Sequence, residues 1–211
     1  DELTAFFQHG EFDHIVFTGC GSTYYLSLAA ASLVQELCSV PTRGLPASEI
    51  WLSPHTIPPG SRGVRNFTDR TLLIAVSRSG ETTETILACQ EFLERRLGNL
   101  LTLTCVPESR LAGLGQINLS FPTAMEKSIA QTRAFSTLYL ATVFLAGLWS
   151  GQSDFLDELE RLPEVGRSLL EKIVEVQDLT QSEQAQNEQA QNEQIVSQLG
   201  QDPFYDRFYF L

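Results

Sequence analysis

The segment Thr71-Leu-Leu-Ile-Ala-Val76 runs straight into Ser77-Arg-Ser-Gly-Glu-Thr82 and from there into a helical pattern. That passage constrains the fold more than any other. A short continuous apolar run bounded by turn residues reads as a strand buried on both faces, and such strands belong to parallel sheets covered by helices. The turn adds a chemical constraint. Backbone N–H groups at a helix start have no intrahelical partner, and the helix dipole puts positive potential there. Ser77, Ser79 and Thr82 bring side-chain donors to the same point, and Gly80 allows close backbone approach or a positive φ. The combination is an anion cradle, and a phosphate ester is its natural guest. The plainer alternative is that Ser79, Thr82 or Thr83 caps the helix, with Glu81 and Glu84 in its first turn. Three hydroxyls within six positions exceed what a cap requires.

A second junction of the same kind lies upstream. His14-Ile-Val-Phe-Thr18 is a short apolar strand, Gly19-Cys-Gly-Ser-Thr23 a glycine-bearing turn, and Tyr25 to Cys38 a buried helix. By itself this turn is what any parallel α/β unit needs. Paired with the first, it sets two strand C-termini toward one crevice, where open α/β sheets bind ligands. Neither turn has the Gly-x4-Gly-Lys-Ser/Thr of a P-loop or the Gly-x-Gly-x-x-Gly of a dinucleotide site, which counts against a nucleotide-binding domain.

Strands at 14–18, 39–45, 71–77, 99–106 and 116–121 alternate with helices at 24–38, 82–97 and 129–149. The alternation predicts an α/β fold, a three-layer αβα sandwich with a five-stranded parallel sheet, doubly wound in the flavodoxin manner. In the second helix Ile86, Cys89, Leu93 and Leu97 form one apolar stripe. Residues 53–70, with their prolines, glycines and arginines, read as a loop.

A net charge of −12 with only two lysines argues against nucleic acid or an anionic membrane as partner. Local dipoles at a phosphate site must then work against an unfavourable global field, which singles out Arg78, against the alternative of an exposed arginine on a solvated loop. The cysteines at 20, 38, 89 and 105 have no metal-ligand spacing, and no metal or cofactor is expected. Cys38, Cys89 and Cys105 read as reduced core residues. Cys20 is the one candidate for thiol chemistry, although a packed small residue is the favoured reading. Thr137 to Trp149 is too short to span a bilayer, no signal peptide is visible, and the expected localisation is cytoplasmic.

Four ordered blocks carry a family resemblance: Gly19-Cys-Gly-Ser-Thr23, Ala47-Ser-Glu49, Ser77-Arg-Ser-Gly-Glu-Thr82 and Glu126-Lys-Ser-Ile-Ala-Gln-Thr-Arg-Ala-Phe135. Together they resemble the SIS (sugar isomerase) phosphosugar-binding domain over residues 10 to 150. The nearest likeness is to the first half of the isomerase domain of glutamine:fructose-6-phosphate aminotransferases and their glutaminase-lacking relatives. The resemblance implies phosphate contacts at Thr23, Ser77, Arg78, Ser79 and Thr82, and sugar contacts at Cys20, Gly21, Ser22, Ile129 and Gln131. It also implies a homodimer. Arg78, Gln131 and Arg133 depart from the usual Gln, Ser and Lys of that pattern. These implications favour part of a sugar-phosphate isomerase or deaminase acting on a ketose or aldose 6-phosphate; the alternative is a phosphosugar-sensing module without catalysis. Isomerisation through an enediol needs a general base. The resemblance places that base in a second domain, leaving Glu126, Glu49 and Glu81 as weak candidates here.

Beyond Gly151 the character changes. Asp154 to Gln177 is acidic and helical, with Pro163 placed to begin a new helix. Residues 183–194 repeat a glutamine-rich unit of five. Tyr205-Asp-Arg-Phe-Tyr-Phe-Leu211 then repeats the type of Phe12-Asp-His-Ile-Val-Phe-Thr18. The expected organisation is a phosphosugar-binding domain over 1–178, a Gln-rich linker over 179–201, and the first strand of a second, truncated domain over 202–211.

Overall fold

The computed structural model describes residue 6, residues 12–54 and residues 70–180, with the side chains of the final helix described as far as residue 173. The chain divides into two units, Asp1–Leu156 and Asp157–Leu211. The first carries the sheet. In chain order its elements are β1 (His14–Gly19), α1 (Ser22–Cys38), β2 (Thr42–Pro46), α2 (Ala47–Leu52), β3 (Thr71–Ser77), α3 (Thr83–Glu94), β4 (Gly98–Thr104), β5 (Ile117–Ser120), a 3-10 turn (Pro122–Ala124) and α4 (Arg133–Ser150). Helix α5 (Ser153–Glu160) crosses the division, and α6 (Leu162–Thr180) belongs to the second unit with Pro163 in its first turn.

All four strand pairings are parallel, in the order β2-β1-β3-β4-β5. This is the flavodoxin-type order, and it reverses direction between β1 and β3. Side chains alternate between two cores, as the two-residue period of a strand requires. Ile15, Phe17, Leu72, Ile74, Leu101 and Leu103 pack with Leu26, Ala30 and Val34 of α1 and Leu138 and Leu145 of α4. Val16, Leu73, Ala75 and Leu100 pack on the opposite face with Ile50 of α2 and Ala88, Cys89 and Phe92 of α3. The result is the expected αβα sandwich with a five-stranded parallel sheet. Helices α1 and α3 lie on opposite faces, so the ends of β1 and β3 form the switch point at which open α/β sheets bind ligands.

Several boundaries differ from the sequence reading. Strand β2 begins three residues later than expected, because Ser39 takes the left-handed conformation that ends α1 (φ 55°). Residues 47–52 form the helix α2, which has no counterpart in that reading. Helix α3 stops at Glu94, before Arg96 at φ 54°; its Ile86, Cys89 and Phe92 are fully buried, while Leu93 and, from beyond the helix end, Leu97 pack half-buried against the same core. Helix α4 begins at Arg133, four residues after the expected start. Most of the expected loop at 53–70, the linker from residue 181 and the strand at 202–211 lie outside the described residues.

Candidate functional site

Strand β3 is buried along its whole length and ends at Ser77, 2% exposed. The chain then turns sharply. Gly80 takes φ +65°, and its N–H donates to Ser77 Oγ at 3.1 Å. The turn is pinned from below: the Arg78 carbonyl accepts from Cys105 N at 3.0 Å and Thr104 Oγ1 at 3.3 Å, and the Gly80 carbonyl accepts from Leu111 N at 3.0 Å. Ser79 Oγ accepts from Glu81 N at 3.2 Å, and Ser77 Oγ lies 3.2 Å from Thr82 Oγ1. Thr82 occupies the N-cap position of α3, yet its side chain makes no capping bond. The plain capping alternative therefore fails at Thr82, and the first-turn N–H groups of α3 are left without a side-chain acceptor.

The turn after β1 is built differently. Gly19 is closed on by Thr23, whose Oγ1 donates to Cys20 O at 2.9 Å and accepts from Cys20 N at 3.1 Å. A Cβ at Gly19 would meet Thr23 Oγ1 at 2.6 Å, so the closure requires glycine. Thr23 is buried and committed to this closure, while Cys20, Gly21 and Ser22 are exposed at the rim. The exposure of Cys20 corrects its reading as a tightly packed small residue: the tight packing falls on Gly19 and Thr23. Gly21, at φ +62°, is the N-cap of α1 and supplies no side-chain cap. Two uncapped helix starts thus follow two neighbouring strands. Their register pairs Thr18 with Ala75, which brings Gly19 and Cys20 level with Val76 and Ser77.

A third segment, the loop between β5 and α4, reaches the turn after β3. Arg78 Nη1 donates to the carbonyl of Ser128 at 2.5 Å, tying the turn after β3 to the loop that precedes α4. That loop is closed at its neck by Glu126. Its Oε1 accepts from Ala134 N at 2.9 Å and Thr132 N at 2.8 Å, and its Oε2 accepts from Thr132 Oγ1 at 2.8 Å. These bonds, with Ala134 N–H the largest contributor, hold the Glu126 carboxyl down at about 2. Glu126 is therefore a fixed anion capping α4 and a weak base. Arg133 Nη2 donates to Met125 O at 2.7 Å beside it. The Cys105 thiol beneath is pushed up by burial, an effect that Arg78 offsets and Glu126 reinforces.

The remaining expected residues divide. Ile129 is 96% exposed at the loop tip and packs on nothing. Gln131 is half-buried, and its Oε1 is shielded from solvent without a hydrogen-bond donor. Glu81 accepts from Arg110 N at 2.8 Å, and Glu49 sits in the first turn of α2, where its charge acts on Arg43. Among the described residues no group of three or more His, Cys, Asp or Glu side chains converges in a way that could hold a metal ion. No helix among them is long and apolar enough to cross a membrane. Sequence reasoning missed the residues that hold the cradle in place, Thr104, Ser109 and the Ser128 carbonyl, because contacts made across the sheet ends leave no local signature.

Comparison with known proteins agrees with this geometry. The SIS domain family matches residues 11–147. A glutamine--fructose-6-phosphate aminotransferase [isomerizing] from Chlamydia abortus is 32% identical over 162 residues, 76% of this chain and 25% of that protein. The protein of the same name from Methanothermobacter thermautotrophicus is 31% identical over 162 residues, 77% of this chain and 25% of its own. Among solved structures, glucosamine-6-phosphate deaminase from Thermotoga maritima aligns at 31% identity and a TM-score of 0.59, over 77% of this chain and 50% of that one. The C-terminal domain of glucosamine-fructose-6-phosphate aminotransferase from Francisella tularensis shares the fold at 23% identity and a TM-score of 0.60, over 77% of this chain and 44% of its own. The chain spans about a quarter of the length of the curated relatives it matches, at 25% of each. With the sheet order, the paired strand-end turns and a family match over more than half its length, the chain belongs to the SIS domain family.

Proposed function

We propose that the chain binds a sugar phosphate, with the phosphate in the turn Ser77–Thr82 and the sugar directed toward Cys20–Thr23 and the loop carrying Gln131. It would do so as part of a sugar-phosphate isomerase or deaminase acting on a ketose or aldose 6-phosphate, and amino sugars are the first candidates. One observation carries the reading: two helix starts without side-chain caps, on neighbouring strands at the point where the sheet order reverses. Helix starts that lack a side-chain cap and carry the positive end of the dipole favour an anion there despite a net charge of −12. The relationship to a protein named glucosamine-6-phosphate deaminase at 31% identity supports the amino-sugar choice.

A general base is effective when its pKa lies near the working pH. Glu126, held at about 2 and bonded to three donors, is unsuited to that task. The enzyme reading therefore needs a base other than Glu126, and the family resemblance places it in another domain. The same fact favours a second reading, a phosphosugar sensor without turnover. A homodimer belongs to the enzyme reading. Leu140 and Phe144, 42% and 44% exposed, form with Leu119 and Phe121 an apolar groove beside the edge strand β5 that a second subunit would cover.

A thermal-shift screen tests the binding claim. Hexose 6-phosphates should raise the melting temperature and the unphosphorylated sugars should not; equal responses to both would reject the proposal. Solvent-deuterium incorporation at C1 or C2 in the natural full-length protein then separates the readings, since exchange requires a base and sensing does not.

A further inference from the structure

We propose that Arg78 is a positioning residue that latches the loop 127–131 to the anion-binding turn, and so holds Gln131 at the site. The latch itself rests on geometry alone; its use in ligand recognition rests on the phosphosugar reading above.

The Arg78 main chain is anchored, because its carbonyl accepts both from Cys105 N and from Thr104 Oγ1 at the end of β4. The side chain leaves this fixed point and donates to Ser128 O, fifty residues further along the chain. The loop it reaches is otherwise tied only at its neck, where Glu126 binds Thr132 and Ala134 and where Arg133 binds Met125. Among the described residues, Arg78 to Ser128 is the one hydrogen bond that residues 127–131 make with another part of the fold. Residues 127–130 are exposed, with Ile129 96% exposed, so packing does not hold the tip. Without the latch the tip is a five-residue loop held only at its neck. Gln131, whose shielded Oε1 awaits a donor, lies in that loop.

An arginine suits this position in a way that a shorter amide does not. Its planar guanidinium has five N–H donors. One bond to Ser128 O leaves others for an anion in the turn beside it, where the bond becomes charge-assisted and shorter. A single side chain can therefore join the occupant of the turn to the position of the loop. Glutamine at 78 has two donors on a shorter stem, and it would lose the reach to Ser128.

Backbone 15N relaxation on the 211-residue chain tests the latch without any ligand. Wild-type amides at 128–131 should show order parameters near those of rigid backbone, about 0.8, whereas Arg78→Gln should lower them below about 0.6. Arg78→Lys, which keeps a cationic donor at similar reach, should recover most of the difference. Tryptic cleavage after Lys127 should rise about tenfold or more in Arg78→Gln, as expected for the loss of one hydrogen bond to a charged group, with an unchanged melting temperature. Equal order parameters and cleavage rates in wild type and Arg78→Gln would overturn the latch. Inorganic phosphate, titrated separately into the wild type, reports on the cradle. A wild type that fails to bind it counts against the phosphosugar reading, while the latch stands or falls on the relaxation contrast.

Discussion

Gly80 offers the sharpest structural test, because two separate penalties meet at one missing methyl group. At φ +65° it adopts a left-handed conformation that costs a residue with a side chain about 1–2 kcal/mol. A Cβ there would also lie 2.0 Å from Ser109 Oγ and 2.4 Å from Ser109 Cβ. Rotating the Ser109 hydroxyl cannot relieve the second overlap, so the backbone of one turn must move. Movement strains or breaks the Leu111 N to Gly80 O bond at 3.0 Å and the Ala112 N to Ser109 Oγ bond at 3.4 Å, at about 1 kcal/mol each. Gly80→Ala should therefore destabilise by about 3–4 kcal/mol, a fall of about 6–15 °C in melting temperature for a domain of this size. Circular-dichroism melts read this directly. Ser109→Gly removes both clashing atoms, so in a double-mutant cycle the pair should be less destabilising than the sum of the singles by about 1 kcal/mol or more. A loss below about 0.5 kcal/mol for Gly80→Ala, or strict additivity, would refute the packing argument.

Three further outcomes follow from the same geometry. Ser79→Ala and Thr82→Val should each weaken hexose 6-phosphate binding by about 1–3 kcal/mol in calorimetry while leaving the fold intact. Glu126 should titrate with a midpoint near 2 by carboxyl NMR. Because its folded pKa lies below its ordinary value of 4.5, its stabilising effect is complete above that value and is lost as pH falls toward about 2. Amide protection at Thr132 and Ala134 should fade over that window in wild type and be weak throughout in Glu126→Gln. Finally, iodoacetamide at mild alkaline pH should modify exposed Cys20 first, whereas Cys89, fully buried and pushed up to about 12, should react only on unfolding.

The sheet and the turns at the ends of β1 and β3 were legible because each rests on a local signal. Thr71–Ser77 is apolar enough to be a doubly buried strand, and the glycine turns after β1 and β3 announce where helices begin. Helix α2 was not legible: six residues that bury only Ala47 and Ile50 are too short to display a helical period. The start of α4 was misplaced for a tertiary reason. Ile129 continues the apolar period backward, yet it is exposed, and the helix begins where the Glu126 carboxylate meets the N–H groups of Thr132 and Ala134. Candidate site residues within one turn, Ser77 to Thr82, came together as a unit. Those in different segments depended on the Arg78 to Ser128 bond, which nothing in either segment foretells.

Chemical-shift mapping tests the central claim, an anion site at the ends of β1 and β3, most directly. Adding a hexose 6-phosphate to 15N-labelled protein should move the amides of Gly19–Thr23 and Ser77–Glu84 strongly. Inorganic phosphate should move mainly the second group, and the unphosphorylated hexose neither. Shifts scattered over other surfaces, or an unphosphorylated sugar that moves the same amides equally, would contradict the account.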